Sequence, residues 1–264
     1  MIKNKVKEML KRNEVTLGTW ITTASPDVAE IMADIGFNWL IFDMEHAALG
    51  IETVQNLIQA TRKSDVVPIV RVAWNDQVLI KLALDIGSYG LLVPMVNSRE
   101  DAVKAVEAAK YPPAGIRGVG PRRASNYYRS FQDYLAKADE EIMVIVQIEH
   151  FEAVENIDSI LSVEGVDVAF IGPADLTASM GLFGQYSNPK VVEAIDTVLT
   201  SCKKAGVPVG THAFNVENAS ELISKGFRFI ALGTDVGFLI QGCIDALESL
   251  SREIGETRKG RDAR

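Results

Sequence analysis

Apolar residues along this chain follow two spacings: short continuous runs of five or six, and longer stretches in which they recur every three or four positions. The segment from Val144 to Ile171 contains both, with continuous runs at 144–148 and 166–171 and helical spacing at 151–161. These spacings predict a strand, a helix and a second strand. Strands that are apolar on both faces belong in a parallel sheet covered by helices, so the segment is predicted to form one βαβ unit.

The same unit recurs along the whole chain. The predicted strands are Leu17–Thr22, Trp39–Asp43, Pro68–Val72, Gly90–Pro94, Val144–Ile148, Val166–Ile171, Val207–Thr211 and Phe229–Gly233. Predicted helices separate them, and the segments 111–128 and 177–188 are predicted to be long loops. Eight alternations in 264 residues predict a single-domain (β/α)8 barrel, an α/β fold. We expect residues 1–254 to form it, with a helix at the N-terminus, and the charged tail 255–264 to fray.

Side chains able to carry out chemistry gather at the ends of the predicted strands. They are Asp43, Glu45, His46, Arg71, Gln147, Glu149, Asp175 and His212. In a parallel barrel the carboxyl ends of all strands meet at one rim, where active sites lie. Glu149 and Asp175 offer the oxygen ligands that a hard divalent cation prefers, and the turn Gly172-Pro173-Ala174 offers backbone N–H groups to an anion. The alternative is that both carboxylates are ordinary polar residues at the start of two loops.

Arg71 and His46 each allow two interpretations. An arginine inside an apolar strand is costly to bury, so Arg71 either neutralises rim carboxylates in a structural ion pair or binds an anionic substrate. His46 could cap a helix, but the nearby Asp43 and Glu45 suit a general base whose tautomer is fixed by a carboxylate. We expect the helix after strand three to carry Asp85 toward the same rim.

Charge and composition exclude several classes of protein. A net charge of −8 without a basic run argues against nucleic acid or an anionic membrane as partner. No apolar run is long enough to span a bilayer, and the charged N-terminal helix lacks the apolar core of a secretory signal, so we expect a cytoplasmic protein. The two cysteines are predicted to be ordinary buried thiols.

The same residues separate possible mechanisms. Neither a Walker loop nor a GxGxxG motif is present, so nucleotide binding has no support. A Schiff-base aldolase needs a lysine on a barrel strand, whereas every lysine here falls in a predicted helix, loop or terminus. Metal-assisted enolisation is therefore favoured over imine chemistry.

Five motifs resemble the HpcH/HpaI aldolase family in order and spacing. They are FDMEHAALG at 42–50, LLVPM at 91–95, YPPAGIRGVG at 111–120, QIE at 147–149 and FIGPADLTASMG at 170–181. The resemblance implies a (β/α)8 barrel in a homo-oligomer, expected to be a hexamer with a C-terminal helix exchanged between neighbours. It also implies a class II aldolase that cleaves a 4-hydroxy-2-oxo acid, such as a 2-keto-3-deoxy sugar acid or 4-hydroxy-2-oxoheptanedioate, to pyruvate and an aldehyde.

The resemblance implies a metal site and a substrate site. Glu149 and Asp175 would hold Mg²⁺, Mn²⁺ or Co²⁺, and the pyruvate oxygens would chelate that ion. The residues implied to contact substrate are Gln147, Gly172, Pro173, Ala174, Trp20, Arg123 and Ser125, the last two on the aldehyde side. One position departs from the family pattern, because His150 stands where a small hydroxyl residue is expected.

The resemblance also implies catalytic roles. Arg71 would stabilise the enolate oxygen, and His46 paired with Asp85 would be the base, with Asp43 and Glu45 supporting the site. Two alternatives stay open at this point. One is a carbon–carbon lyase of the citrate-lyase or malyl-CoA-lyase type, which would need a coenzyme A site, and the other is a barrel that binds a keto acid without turnover.

Overall fold

Eight parallel strands close into a barrel in the computed structural model, which describes residues 3–253. The strands are β1 Thr16–Ile21, β2 Trp39–Asp43, β3 Val67–Arg71, β4 Gly90–Val93, β5 Met143–Ile148, β6 Val168–Ile171, β7 Val209–Ala213 and β8 Phe229–Thr234. Each strand pairs with the next, and β8 pairs with β1. The predicted (β/α)8 barrel is confirmed. The prediction for the tail 255–264 lies outside the described residues.

Helices surround the barrel and close one of its ends. They are α1 Lys5–Lys11, α2 Pro26–Asp34, α3 Ile51–Ala60, α4 Gln77–Asp85, α5 Arg99–Ala109, α6 Phe131–Glu141, α7 Phe151–Glu155, α8 Ile157–Leu161, α9 Pro173–Ser179, α10 Pro189–Ala205, α11 Val216–Lys225 and α12 Asp235–Glu253. Their starts carry the expected signals, such as the capping box of Ser98 and Asp101 on α5. No described helix is both long and apolar enough to span a membrane.

Several element predictions are wrong in detail. Helix α6 was not predicted, although its Tyr134 and Ala138 have helical spacing and are buried. The predicted loop 177–188 begins inside α9, and the predicted helix 151–161 breaks at Asn156. Strand β7 starts two residues later than predicted because the segment before it contains Pro208, which has no N–H to donate to a ladder.

Alternating residues of each strand point into the barrel, and this alternation positions the site. In β2 and β3 the inward residues begin with two apolar layers, and the third layer is Asp43 opposite Arg71. The same rule turns Gln147 inward after Met143 and Ile145. At the other end, α1 packs into the barrel interior, so the polar layer lies at the open, carboxyl end of the strands.

The two cysteines are both unpaired. Cys202 is buried in α10, as expected, and burial raises the pKa of its thiol to about 12. Cys243 in α12 is exposed in the single chain, so the prediction of two buried thiols is wrong for this residue.

Candidate active site

A bidentate ion pair forms the floor of the open end of the barrel. The Nε and Nη2 groups of Arg71 donate to the two carboxylate oxygens of Asp43 at 2.8 and 2.7 Å. The Oε2 of Glu45 lies 3.1 Å from Arg71 Nη1 but without the alignment of a hydrogen bond. The Trp20 ring covers the guanidinium, with its centroid 4.4 Å from Cζ. Arg71 therefore makes the structural ion pair that its place in an apolar strand demands, and it does so at the rim.

The two carboxylates beside Arg71 titrate differently. Burial raises the pKa of Asp43, but the hydrogen bonds and charge of Arg71 lower it by more. The net pKa of Asp43 is therefore below its usual value. Burial raises the pKa of Glu45, and the charges of Asp43 and Asp175 add to this against the opposing effect of Arg71. These effects indicate that the open end of the barrel carries more negative charge than Arg71 alone neutralises.

Glu149 is held rigidly at the end of β5. Its Oε1 accepts a hydrogen bond from the backbone N–H of Met95 at 2.8 Å, and its Oε2 accepts one from the amide of Gln147. A Cβ on Gly172 would lie 2.8 Å from Glu149 Oε2, so any residue other than glycine at this position would displace the carboxylate. Burial raises the pKa of Glu149 to about 7, and the charges of Glu45 and Asp175 act in the same direction.

These groups fit a divalent metal ion. Glu149 and Asp175 are oxygen ligands, and the Oε1 of Gln147 is buried without a hydrogen-bond partner among the described residues. A cation would offset the burial and the repulsion from Glu45 and Asp175 that together raise the pKa of Glu149. The described residues contain no cluster of three or more His, Cys, Asp or Glu side chains able to hold a metal, so water or substrate oxygens would supply the other ligands.

His46 lies at the surface of the same rim. Its side chain is 61% exposed, its backbone N–H donates to Asp43 Oδ1 at 3.3 Å, and its Nε2 is 3.9 Å from Glu45 Oε2. Within the described chain, the carboxylate of Asp85 pairs instead with Arg117 Nη2 at 2.7 Å. The expected contact between His46 and Asp85 is therefore not made within one chain.

The expectation that α4 carries Asp85 to the rim is wrong for a physical reason. A helix that follows a parallel strand runs back toward the amino ends of the strands, and Asp85 is the last residue of α4. Three residues later, the hydroxyl of Ser88 donates to the carbonyl of Pro68 near the start of β3. Asp85 thus lies at the end of its own barrel opposite to His46.

The two residues expected on the aldehyde side share this location. Arg123 donates from Nη1 to the carbonyl of Ile86, directly after α4. Ser125 is buried, and its hydroxyl donates to the carbonyl of Pro121 at 2.5 Å. In their own chain both residues lie away from the rim, so a direct contact with substrate in the same barrel is excluded.

The segment 172–175 forms the start of α9 and not a free turn. The N–H of Gly172 donates to the carbonyl of Ile148 at 3.1 Å, and Pro173 has no N–H. Of the expected cradle, this leaves the N–H groups of Ala174 and Asp175, which as early helical positions have no partner within the helix. The predicted anion contact is correspondingly smaller than the sequence suggested.

An aromatic series leads from Arg71 to the surface. The Nε1 of Trp20 donates to His212 Nδ1 at 3.3 Å, and the His212 ring packs edge-on against Phe214 with centroids 5.0 Å apart. Phe214 in turn lies 5.5 Å from the ring of Tyr186. Burial lowers the pKa of His212. We refer to Trp20, His212, Phe214 and Tyr186 as the aromatic wall.

Other residues at this end serve structure, and sequence reasoning missed two of them. His150, the departure from the family pattern, caps α7, where its Nδ1 accepts from the Glu152 N–H at 3.3 Å. The backbone of Met95 bends with φ of 52° to aim its N–H at Glu149. Asp235 accepts four hydrogen bonds from the N–H and hydroxyl groups of Thr22 and Thr23. The only sequence signal for this last cluster is the pair of threonines after β1.

Comparison with known proteins gives consistent matches. The family model for HpcH/HpaI aldolase/citrate lyase matches residues 16–242. A 4-hydroxy-2-oxo-heptane-1,7-dioate aldolase from Shigella flexneri is 42% identical over 97% of this chain and 95% of its own. The crystal structure of a HpcH/HpaI aldolase/citrate lyase family protein from Burkholderia cenocepacia J2315 superposes with a TM-score of 0.91 at 35% identity, covering 94% of this chain and 99% of that one.

A more distant match shows the fold alone. The citrate lyase beta subunit from M. tuberculosis, solved as a complex with oxaloacetate and magnesium, has a TM-score of 0.59 at 12% identity. It covers 87% of this chain and 95% of that one.

Proposed function

Because this chain belongs to the HpcH/HpaI aldolase/citrate lyase family, we propose that it is a metal-dependent aldolase, a carbon–carbon lyase that cleaves a 4-hydroxy-2-oxo acid to pyruvate and an aldehyde. The relatives at 41–42% identity, named 4-hydroxy-2-oxo-heptane-1,7-dioate aldolase, support the reaction class. The observation that carries the proposal is the buried carboxylate Glu149 beside Asp175, with its pKa raised, across the barrel mouth from the fixed guanidinium of Arg71.

Glu149 and Asp175 would hold the divalent ion, and the amide oxygen of the inward-facing Gln147 has no hydrogen-bond partner among residues 3–253. When bound, a divalent ion polarises the 2-oxo group so that negative charge can develop on its oxygen. Mg²⁺, Mn²⁺ and Co²⁺ all suit oxygen ligands of this kind. Met95 and Gly172 keep the Glu149 carboxylate in one position, which is the preorganisation that such a site needs.

Arg71 would stabilise the oxygen on which negative charge develops. Its bidentate bond to Asp43 fixes the plane of the guanidinium, and the Trp20 ring shields one face of it. His46, exposed at the rim, would accept the proton of the 4-hydroxyl group. The bond between C3 and C4 would then break, and its electron pair would stay with the C3 fragment, which becomes the enolate of pyruvate. The C4 fragment would depart as the aldehyde, and a proton added to C3 would complete pyruvate.

The exchange of pyruvate methyl protons with deuterated solvent, followed by NMR, tests this proposal. It isolates enolisation from the aldehyde chemistry. Wild-type protein with Mg²⁺ should exchange, a chelator should stop the exchange, and Arg71→Ala should lower it by about 10²-fold or more. Arg71→Lys should restore little, because a point charge does not reproduce the planar fork. Exchange that survives exhaustive chelation, or a pyruvate adduct trapped by borohydride, would contradict a metal-dependent mechanism. Binding of pyruvate without exchange would indicate a barrel that binds a keto acid without turnover.

We also propose a homo-oligomer, expected to be a hexamer, in which α12 packs on a neighbouring chain. Apolar side chains of α12 are exposed in the single chain: Val236, Phe238, Leu239, Ile240, Ile244, Leu247 and Leu250. A surface this apolar marks an interaction site. In such an assembly Asp85 and Arg123, remote from their own rim, would complete a neighbour's site. Light scattering of wild type and of Leu239→Glu tests this, and a fully active wild-type monomer at micromolar concentration would contradict it.

The same proposal includes a cytoplasmic location. Helix α1 is folded into the barrel through Val6 and Leu10, and Lys7 pairs with Asp167 at 2.9 Å. A helix that packs its apolar residues into the core in this way acts as a structural element of the folded barrel. Fractionation of cells that produce the native chain would test the location.

A further inference from the structure

We propose that Arg117 is a positioning residue, which holds the carboxylate of Asp85 so that this carboxylate serves His46 in a second copy of the chain. This inference rests on the proposed aldolase function and its oligomer, and it adds to them a buried residue remote from the rim of its own barrel. It follows from the contacts of Arg117, from the place of Asp85 on its helix, and from the exposed surface beside them.

Arg117 is a buried cation with an incomplete set of partners. Its side chain is 0% exposed, and Nη2 alone makes its hydrogen bonds, to Asp85 Oδ1 at 2.7 Å and to the Tyr134 hydroxyl at 3.1 Å. Nε and Nη1 are buried without a partner among residues 3–253. Apolar groups of the same volume often replace a buried ion pair with no loss of stability. Stability alone therefore does not account for a pair in which two nitrogen atoms leave their N–H groups unused.

Two tyrosine rings hold the guanidinium of Arg117 in place. Its Cζ lies 4.5 Å from the ring centroid of Tyr111 and 5.6 Å from that of Tyr134. The faces of such rings attract a cation. Burial lowers the pKa of Arg117, but the two tyrosines and Asp85 raise it by more, so the net pKa is above its usual value. The guanidinium is therefore charged and fixed where it meets Asp85.

Asp85 occupies an unfavourable position for a carboxylate. It is the last residue of α4, where the unpaired backbone carbonyls carry partial negative charge and disfavour an anion. Within the described part of the chain, Arg117 is the only cation that pairs with it. Only Oδ1 is bound in this way, since Oδ2 accepts no hydrogen bond from residues 3–253 and the side chain is 19% exposed. The ion pair thus fixes one oxygen of Asp85 and leaves the other for a group outside the chain.

The surface around Asp85 suits contact with a second copy of the chain. The segment 116–120 lies along α4, and a Cβ on its Gly120 would lie 3.7 Å from Asp85 Oδ2. Exposed apolar patches mark interaction sites, and a second copy presents an exposed imidazole at its rim, that of His46, to the free oxygen of Asp85. The exposed apolar side chains of this surface are Val78, Leu82, Ile116 and Val119.

The proton transfer then involves groups from two chains. In the proposed mechanism His46 accepts the proton of the 4-hydroxyl group. A carboxylate that binds the other ring nitrogen fixes the tautomer of such a base and stabilises the imidazolium that forms. Asp85 of a second copy supplies that carboxylate, and Arg117 keeps it ionised and in one place. Arg117 touches neither substrate nor metal.

A double-mutant cycle tests the proposal through kcat. The probe reaction is the cleavage, with Mg²⁺, of 4-hydroxy-2-oxoheptanedioate or 4-hydroxy-2-oxopentanoate, whichever the wild type cleaves faster. Arg117→Met, which fills similar space without charge, should lower kcat by about tenfold or more with little change in KM, because the misplaced carboxylate serves proton transfer and not binding. In an Asp85→Asn background the same substitution should lower kcat by less than about twofold, since no carboxylate is left to position.

The cycle separates positioning from a merely structural role. A structural role would couple the two residues in the free energy of unfolding but not in kcat, so losses in kcat that simply multiply would overturn the proposal. Arg12→Met, which breaks an exposed ion pair with Glu14, is the matched control and should leave kcat unchanged. Asp85→Asn alone leaves a buried cation unpaired and can fail to fold, and the next experiment does not need it.

Mixed oligomers test whether Arg117 acts on another chain. Arg117→Met and His46→Ala chains, co-expressed and purified through two different tags, form some sites in which an intact rim meets an intact pair of Asp85 and Arg117. Random mixing makes about a quarter of the sites whole, so kcat should recover to about a quarter of the wild-type value. Activity no higher than the mean of the two parent variants would overturn the proposal, because an intact neighbour cannot repair a residue that acts only within its own chain.

Exchange of pyruvate methyl protons by the wild type separates this inference from the proposed function. Absence of exchange removes the aldolase function itself. Exchange by the wild type, together with mixed oligomers that recover no activity, removes only the role of Arg117.

Discussion

Glu149→Gln should make the metal-free protein more stable relative to wild type as the pH rises. The substitution removes an ionisable group that is 2% exposed and that has Glu45 and Asp175 as neighbours. Its pKa moves from the usual 4.5 to about 7, so ionising it in the fold costs on the order of 3 kcal/mol. Glutamine keeps the shape of the side chain and can still accept the hydrogen bond from Met95.

The sign follows from proton binding. Between pH 4.5 and about 7 the folded protein holds a proton on Glu149 that the unfolded chain has lost, so the stability of the wild type falls as the pH rises through that window. The variant has no such group and is insensitive at this position. The stability of Glu149→Gln minus that of the wild type should therefore rise by about 2.5 kcal/mol between pH 5 and pH 8.

Urea denaturation in the presence of a chelator, at pH 5, 6, 7 and 8 and a fixed protein concentration, measures this difference. Glu152→Gln is the matched control, because Glu152 is exposed and its variant should track the wild type. Adding Mg²⁺ at pH 8 should stabilise the wild type and not Glu149→Gln, since the ion binds only the folded site. A stability difference that stays flat from pH 5 to pH 8 would refute the buried, repelled carboxylate on which the metal site is argued.

Two further predictions concern groups that hold the site in shape. Gly172→Ala should lower kcat/KM by about 10²-fold and should also destabilise the fold, because the added Cβ would lie 2.8 Å from Glu149 Oε2 and 2.9 Å from Glu149 Cβ and must displace this buried side chain. Gly50→Ala, whose added Cβ meets no atom within 4 Å, should change neither quantity. Asp235→Ala should destabilise the protein by about 2–4 kcal/mol in urea titrations, because it leaves the groups of Thr22 and Thr23 without an acceptor. Burial raises the pKa of Asp235, but the hydrogen bonds from Thr22 and Thr23 lower it by more, so the net pKa is below the usual 3.8. The contribution of Asp235 to folding stability should therefore be present above pH 3.8 and be lost as the pH falls below it. The control Asp34→Asn, at an exposed site, should show no such change.

The barrel itself could be predicted because its physical signals are local. Continuous apolar runs and helical spacing each lie within a short segment of the sequence. All eight of the predicted strands are found. The errors fall where a distant contact decides the outcome. Helix α6 has few apolar residues. It is held in place by its buried Tyr134, whose hydroxyl accepts a hydrogen bond from Arg117. No local pattern in the sequence announces that contact.

The rim was predictable in part for a different reason. Once a strand direction is known, the alternation of side chains decides that Asp43, Arg71 and Gln147 face inward at one end, and the structure brings the first two together as a bidentate pair. The remaining site geometry depends on backbone details, such as the left-handed Met95 whose N–H reaches Glu149. A spacing rule gives no access to such details.

The positions of Asp85 and Arg123 link the active site to the assembly of the chains. A helix that follows a parallel strand must return to the other end of the barrel, so the last residue of α4 faces away from its own rim. The ion pair of Asp85 with Arg117 then leaves a carboxylate that is only partly buried at that end. A catalytic role for Asp85 therefore requires a second chain, so the complete active site depends on the oligomer. A chain that is active as a monomer would have to use His46 with Glu45, whose Oε2 lies 3.9 Å from His46 Nε2.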